Sequence, residues 1–135
     1  MRPGRELDTL IAQHIFGHEV IIKRKIPTEV TPAGERPLRE YSKSAGAAFE
    51  VAEKMKISLI PIEGNQWFAL CGPTEGFKSP ADFMEFIGKG NFQNSGAAVA
   101  ETAALAISLA AIKAVETRLA QEQQKNDDDN NSTTH

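Results

Sequence analysis

The chain of 135 residues contains one cysteine, Cys71, and one tryptophan, Trp67. A single cysteine excludes an intramolecular disulfide and a metal–thiolate cluster, because each needs several thiols. It also favours a reducing, cytoplasmic compartment. The sequence lacks the phosphate-binding G-x-x-x-x-G-K-[ST] pattern, the dinucleotide-binding G-x-G-x-x-G pattern and the zinc-binding H-E-x-x-H pattern. We therefore expect no cofactor.

An excess of positive charge is absent as well. The 15 Lys and Arg residues stand against 18 Asp and Glu residues, for a formal net charge of −3. Much of the acidic excess lies in the polar tail 121–135, so the body 1–120 is close to neutral. A neutral body argues against general nucleic-acid binding, which requires a basic face. The composition predicts one α/β domain over 1–120 and a disordered tail over 121–135 that either solubilises the protein or binds a partner.

No apolar run is both long enough and uncharged enough to cross a membrane. The longest run, AETAALAISLAAIKAVE from Ala100, contains Glu101 and Lys113. Its leucines and isoleucines recur every three or four residues, which predicts a helix with one apolar face. Alanines lie beside that face and permit a close approach of another backbone. This helix is thus expected to pack on a sheet, on a second helix or on its own copy. The N-terminal residues lack the unbroken apolar core of a signal peptide, so we expect no export segment.

Local patterns predict the remaining elements. Apolar spacing indicates an amphipathic helix over 5–16, which Gly17 ends, and β-branched residues indicate a strand over about 18–26. The proline-rich stretch 27–41 is expected to be a loop. A second helix follows within 42–55, with Ser42 or Ser44 as its N-cap. Two runs, 57–62 and 66–71, predict a hairpin whose first strand carries Pro61 and therefore lies at an edge or at a bulge. We expect 72–95 to be irregular apart from a short helical segment.

Candidate catalytic residues are few. His14 and His18 are four residues apart, which on one helix would place two imidazoles on the same face, but Gly17 interrupts the helix. No metal site is therefore expected. Cys71 follows the apolar residues WFAL, which predicts a buried thiol at the end of a strand. On these grounds we expect a protein that is not an enzyme.

Binding chemistry is better represented. Lys23, Arg24 and Lys25 are consecutive at the end of the predicted first strand, so Arg24 is expected to point away from its two neighbours. Arg36 and Arg39 follow in the proline-rich stretch, and arginines with free guanidinium groups suit phosphate. Trp67 and Phe68 are expected on opposite faces of their strand. A solvated basic strand end with aromatic residues in the core remains the alternative interpretation.

Three segments together resemble the phage ABA sandwich domain family. They are GRELDTLIAQHIFGHEV near the N-terminus, REYSKSAGAAFEVAEKM in the middle and AETAALAISLAAIKAVE near the end. The chain departs from the family at Phe49, where tryptophan is usual, and at Ser108, where cysteine is common; 27–37 and 72–95 match no family block. The resemblance implies an α/β sandwich encoded by a bacteriophage or prophage and located in the cytoplasm of an infected bacterial cell.

Small phage proteins of this general kind include the Thoeris anti-defence and anti-CBASS sponges. By analogy, we expect an oligomeric, non-enzymatic protein that sequesters an immune nucleotide signal of the host. The signal would be a cyclic ADP-ribose isomer or a cyclic oligonucleotide. In this hypothesis, Arg24, Arg36 and Arg39 hold phosphates. Trp67, Phe77 or Phe92 stacks on a base, and Asn91 or Asn94 binds the edge of that base.

Two other functional classes stay open from the sequence. A protein–protein adaptor that blocks a host factor would use the acidic tail or the irregular segment as its surface. A hydrolase that uses His18 or Cys71 ranks third, because no partner base is apparent in the sequence. Deletion of 121–135 separates the first class from a small-molecule binder, since the tail is too featureless to shape a pocket.

Overall fold

A computed structural model describes residues 1–72, 77–88 and 96–132, with the side chains of Ile87 and 127–132 excepted. It confirms an α/β single-domain fold with four helices and two small antiparallel sheets. In chain order the elements are α1 (Arg5–His14), β1 (Glu19–Lys23), β2 (Ile26–Thr31), β3 (Gly34–Pro37), α2 (Ala45–Met55), β4 (Ile57–Ile62), β5 (Gln66–Cys71), α3 (Pro80–Gly88), β6 (Gly96–Ala100) and α4 (Ala103–Ser132).

The N-terminal sheet has the strand order β1-β2-β3, and β2 and β3 overturn the expectation of a loop for most of 27–41. Arg24 and Lys25 form the turn before β2 with φ values of 53° and 68°, so the first strand ends earlier than predicted. Pro27 lies near the start of β2, and its carbonyl accepts the Leu38 N–H at 2.8 Å. Pro37 lies in edge strand β3, where its nitrogen faces away from β2. The prolines therefore occupy positions at which the sheet loses little hydrogen bonding.

The C-terminal sheet has the order β4-β5-β6. The predicted hairpin is confirmed, and Pro61 lies in edge strand β4 opposite Trp67. Strand β6 was not anticipated, because GAAVA consists mostly of small residues with little β preference. It pairs antiparallel with β5, with Phe68 opposite Val99. The sheet is thus completed by a strand that is distant in sequence from the hairpin.

Helix α4 packs on the C-terminal sheet and on α2 and forms the centre of the core. One group of buried residues joins α4 to α1 and α2, and a second joins Ala106 and Ala110 of α4 to Ala69 and Ala100 of the sheet. A Cβ on Gly96 would overlap the Ala110 carbonyl oxygen and lie 2.8 Å from Ala114. The alanines therefore let strand β6 approach the helix backbone closely, which settles how this helix packs within one chain.

The shorter helices follow their sequence signals. Helix α1 ends at His14, two residues earlier than expected, and Gly17 beyond it has a φ of 69°. Helix α2 begins after Ser44, whose side chain accepts the Ala47 N–H at 3.4 Å. The predicted serine cap and the predicted helix over 42–55 are both confirmed.

The C-terminal end of α4 differs from the expected disordered tail. The helix continues to Ser132, and 121–126 are exposed. No glycine or proline interrupts 103–132, so the sequence contains no residue that would stop the helix. Within the described ranges, no helix combines the length and apolarity that a bilayer crossing requires.

Candidate functional site

A buried carboxylate, Glu29, occupies the central strand of the N-terminal sheet. It is 0% exposed, and several hydrogen-bond donors surround it. The Tyr41 hydroxyl lies 2.9 Å from each carboxylate oxygen and donates to the carboxylate. The Arg39 backbone N–H donates to Oε1 at 2.8 Å, and His18 Nδ1 lies 2.8 Å from Oε2. This cluster satisfies a charge that would otherwise be costly to bury.

The surroundings of Glu29 set its ionisation state. Burial by itself raises the pKa of this carboxyl, but hydrogen bonds from Arg39, His18 and Tyr41 and the charge of Arg36 lower it more, so the pKa falls below its usual value of 4.5. The pKa of Tyr41 moves the opposite way, because burial and the adjacent carboxylate disfavour a phenolate. Glu29 is therefore ionised and Tyr41 protonated at neutral pH.

Aromatic and cationic side chains enclose the Glu29 cluster. Phe16 stacks on Tyr41 with ring centroids 5.3 Å apart and on His18 at 5.8 Å. Arg36 Nη2 lies 3.4 Å from Glu29 Oε2 and 3.4 Å from the Tyr41 hydroxyl. The cluster connects β2 and β3 with the segment before β1 and the segment before α2, so its contacts are those of a structural network.

The arginines predicted to hold phosphate are mostly engaged with carboxylates. Arg36 pairs with Glu29, and Arg39 pairs with Glu50 of α2. Each guanidinium group thus already contacts a carboxylate, although the Nε of Arg36 has no hydrogen-bond partner within the described part of the chain. Arg24 lies in the β1–β2 turn, so the expected alternation of its side chain along a strand is wrong. Its binding role stays a prediction.

Arg24 and Arg36 do border a common concavity of about 360 Å³ on the N-terminal sheet. Lys23 and Glu35 also line it, and Lys23 Nζ lies 2.6 Å from Glu35 Oε2. Glu35 and Glu29 pair with Lys23 and Arg36, whereas Arg24 has no carboxylate partner among the described residues. We call this space the N-terminal concavity.

The predicted aromatic platforms lie in the other half of the molecule. Trp67 and Phe68 lie on opposite faces of β5 as predicted, and Trp67 packs towards α4. Phe77 packs on Gly72, where a Cβ would lie 2.5 Å from the nearest ring atom, and its ring centroid lies 5.1 Å from that of Phe83. Trp67 and Phe77 thus lie in or beside the C-terminal sheet, whereas the three arginines lie in or beside the N-terminal sheet. Asn91, Phe92 and Asn94 lie outside the described residues.

A second concavity, of about 480 Å³, combines aromatic rings with positive charge. Phe77 and Phe83 line it together with two exposed lysines, Lys56 and Lys78. Ser58, Ser79 and Pro80 complete the lining. Neither lysine pairs with a carboxylate among the described residues. We call this space the α3 concavity, because the N-terminal end of α3 borders it.

The start of α3 adds to the electrostatics of the α3 concavity. Ser79 caps this helix by accepting the Asp82 N–H at 3.1 Å. The positive end of the helix dipole lies at the same terminus, which favours an anion nearby. Lysines, hydroxyls and the helix terminus are suited to phosphate, and the rings are suited to a base.

Sequence reasoning missed the lysines of the α3 concavity as well as Glu29 and Tyr41. Lys56 follows α2 and Lys78 precedes α3, so the chain fold alone brings the two together. Glu29 and Arg36 face each other only in the register of β2 with β3. No local pattern indicates either pairing.

The remaining candidate residues show no catalytic arrangement in the described part of the chain. Cys71 is a buried strand-end thiol as predicted, and burial raises its pKa. Its Sγ lies 3.5 Å from the Met55 carbonyl oxygen. Among the side chains that are described, no group of three His, Cys, Asp or Glu residues is placed to hold a metal ion.

Comparisons with known proteins extend the fold assignment. No family model matches the chain, and no curated protein matches it. Among solved structures, the chain is similar to a crystal structure of a phage protein from Bacillus cereus ATCC 14579. The TM-score is 0.55 with 22% identity, over 86% of this chain and 89% of that chain. Membership of the phage ABA sandwich domain family stays a prediction; the shared feature is the α/β fold of a phage protein.

Proposed function

We propose that this protein is a non-catalytic binding protein that holds an anionic, nucleotide-derived ligand in the α3 concavity. One observation carries the proposal: Phe77, Phe83, Lys56 and Lys78 line the same open space. Aromatic rings and unpaired cations together are the groups that bind a base and its phosphates.

The charges favour the α3 concavity over the N-terminal concavity. Lys56 and Lys78 have no carboxylate partner among the described residues, whereas Lys23 and Arg36 pair with Glu35 and Glu29. An anion at the N-terminal concavity would compete with existing ion pairs. At the α3 concavity it would gain charge-assisted contacts without breaking any described pair.

The candidate ligands are cyclic ADP-ribose isomers and cyclic oligonucleotides made by bacterial immune enzymes. Sequestration requires tight binding and no turnover, which suits a chain without an evident catalytic group in its described part. A phage origin would supply the biological context, and the fold likeness to a phage protein is compatible with it. In this proposal the protein acts as a sponge in the infected bacterial cytoplasm.

The proposal is tested by retention of a ligand. The purified chain is mixed with a panel of cyclic dinucleotides, cyclic trinucleotides and cyclic ADP-ribose isomers, washed and heat-denatured, and the released compounds are identified by mass spectrometry. Recovery of one intact compound supports the proposal. Recovery of none from folded protein contradicts it, and recovery of a hydrolysed product contradicts the non-catalytic part.

The position of the site is tested with matched variants. Lys56→Ala/Lys78→Ala removes both lysines of the α3 concavity, and the control Lys54→Ala/Lys125→Ala removes two exposed lysines elsewhere on helices. Both variants change the net charge equally. We expect the first to lose retention and the control to keep it. Equal retention by both would remove the α3 concavity as the site.

A protein–protein adaptor is the second candidate function. The observation that favours it is the exposed end of α4 over 121–126. Deletion of 121–135 leaves the α3 concavity intact, so ligand retention is expected to survive it. If the deletion variant still retains the ligand but loses the effect of the protein in infected cells, the adaptor function is favoured instead.

A further inference from the structure

The C-terminal sheet has an outer face that turns away from α4. Side chains alternate along strands, so the residues that do not face α4 share this opposite face. They are Ser58, Ile60, Ile62, Gln66, Phe68, Leu70, Ala97 and Val99. None of these side chains ionises. The α3 concavity borders the face at its Ser58 end, where Leu70 is 0% exposed and this part of the face is already covered.

The other half of the outer face is apolar and open. Ile60, Phe68 and Val99 form a row across the three strands, because Phe68 pairs with both of the others. Ile60 is 37% exposed, Ile62 42% and Val99 51%. An antiparallel sheet with one free face normally places polar residues there. An open apolar row in that position suits contact with a second apolar surface.

Opposite charges lie at the two ends of this face. Strands β4 and β6 run in the same direction, because each is antiparallel to β5. Glu63 after β4 and Glu101 after β6 therefore lie at one end. Lys56 precedes β4 and lies at the other end, beside Lys78 in the α3 concavity. All four side chains are exposed.

We propose that two copies of the chain associate through their outer faces, with the two-fold axis between the sheets and perpendicular to the strands. This axis reverses the strand direction of the partner, so the acidic end of each copy lies against the lysine end of the other. An axis parallel to the strands would place acidic end on acidic end. The uncharged centre can meet its own copy without burying an unpaired charge.

The size of the patch predicts the strength of this dimer. Three strands about 4.8 Å apart and about four residues along each give an apolar centre of roughly 200 Å² per copy. Stable complexes bury about 800 Å² per partner. Contacts at the charged ends and along α3 add to the centre, but the total stays small. The dimer is therefore weak, reversible and populated at high protein concentration. Because the acidic ends lie against Lys56 and Lys78, an anion bound in the α3 concavity is expected to weaken the dimer, so association is measured on the ligand-free chain.

Sedimentation velocity of the ligand-free chain from about 10 µM to about 1 mM tests this association. We expect the mass of the wild type to rise towards twice the monomer mass. Val99→Lys places a charge in the centre of the face and is expected to keep the protein monomeric throughout. The control Leu119→Lys alters a residue of similar exposure, 55%, on α4 and is expected to behave as wild type. The proposal is overturned if the wild type is monomeric at every concentration, or if Val99→Lys and Leu119→Lys lose association equally.

A charge exchange tests the orientation of the two copies. With this axis β4 of one copy lies against β4 of the other, so Lys56 lies opposite Glu63 of the second copy. Lys56→Glu alone and Glu63→Lys alone each create like-charge contacts between copies, so each is expected to weaken association several-fold. The double variant Lys56→Glu/Glu63→Lys restores opposite charges and is expected to recover wild-type association in low salt. Failure of the double variant to recover, while each single variant weakens association, rejects the proposed axis. Circular dichroism of each variant confirms that the fold is retained.

Discussion

The two sheets have the same number of strands and the same antiparallel pairing, but their interiors use opposite chemistry. The N-terminal sheet buries a charge, Glu29, and surrounds it with donors from His18, Tyr41 and the Arg39 backbone. The C-terminal sheet buries alanines against α4, with Gly96 in close approach to Ala110. One sheet depends on satisfied hydrogen bonds and the other on small residues, so different substitutions should damage each.

The largest effect is expected from Gly96→Ala. The added methyl group would overlap the Ala110 carbonyl oxygen, which is backbone and cannot rotate away. We expect a loss of more than about 3 kcal/mol in the free energy of unfolding. Urea denaturation measures it. Gly46→Ala is the matched control, because its nearest neighbour would be Ser44 at 4.0 Å and alanine favours the helix. That variant should be neutral or slightly stabilising; equal effects in both would refute the close approach.

A smaller loss is expected from Glu29→Gln in the N-terminal sheet. The amide keeps the shape of the carboxylate but places donors against donors and leaves Arg36 without its carboxylate. We expect a loss of about 2–3 kcal/mol in the free energy of unfolding. Glu35→Gln, which removes an exposed pair with Lys23, should cost less than about 1 kcal/mol. A similar loss of unfolding free energy in both variants would mean that the burial of Glu29 does not strengthen its contribution to stability.

The pH dependence of stability should separate the two sheets further. The pKa of Glu29 is lower in the folded chain than its usual 4.5, so its contribution is complete above that pH. As the pH falls through the folded pKa, the native carboxylate takes up a proton and the contribution is lost. The stability difference between wild type and Glu29→Gln should therefore shrink on acidification. The difference between wild type and Gly96→Ala should not depend on this titration. Thermal melts across pH 3–7 would show both trends.

The elements that the sequence predicted are those with local signals. The apolar stripe of α4, the Ser44 cap of α2 and the hairpin of β4 with β5 each arise from neighbouring residues. Strand β6 escaped prediction because its small residues become a strand only through pairing with β5. The prolines of β2 and β3 led to the prediction of a loop. The sheet tolerates them because they lie in an edge strand or near the end of a strand, and these positions cannot be read from the sequence.

The candidate sites were less predictable than the fold. Phe77 was expected at a binding site and does line the α3 concavity. Lys56 and Lys78 line it from two separate segments, one after α2 and one before α3. Glu29 lies in a segment predicted to be a loop, and only the tertiary structure shows that four groups converge on it. The sequence shows which residues are charged or aromatic, whereas the partners of these side chains depend on tertiary contacts.

The most direct test compares the two concavities in one titration. Isothermal titration calorimetry of the retained compound would be run on wild type, Lys56→Ala/Lys78→Ala and Arg24→Ala. Loss of two phosphate contacts should weaken binding at least about tenfold in the first variant, and Arg24→Ala should match wild type. Unchanged affinity in the lysine variant with a loss in Arg24→Ala would place the ligand at the N-terminal concavity and contradict the assignment to the α3 concavity.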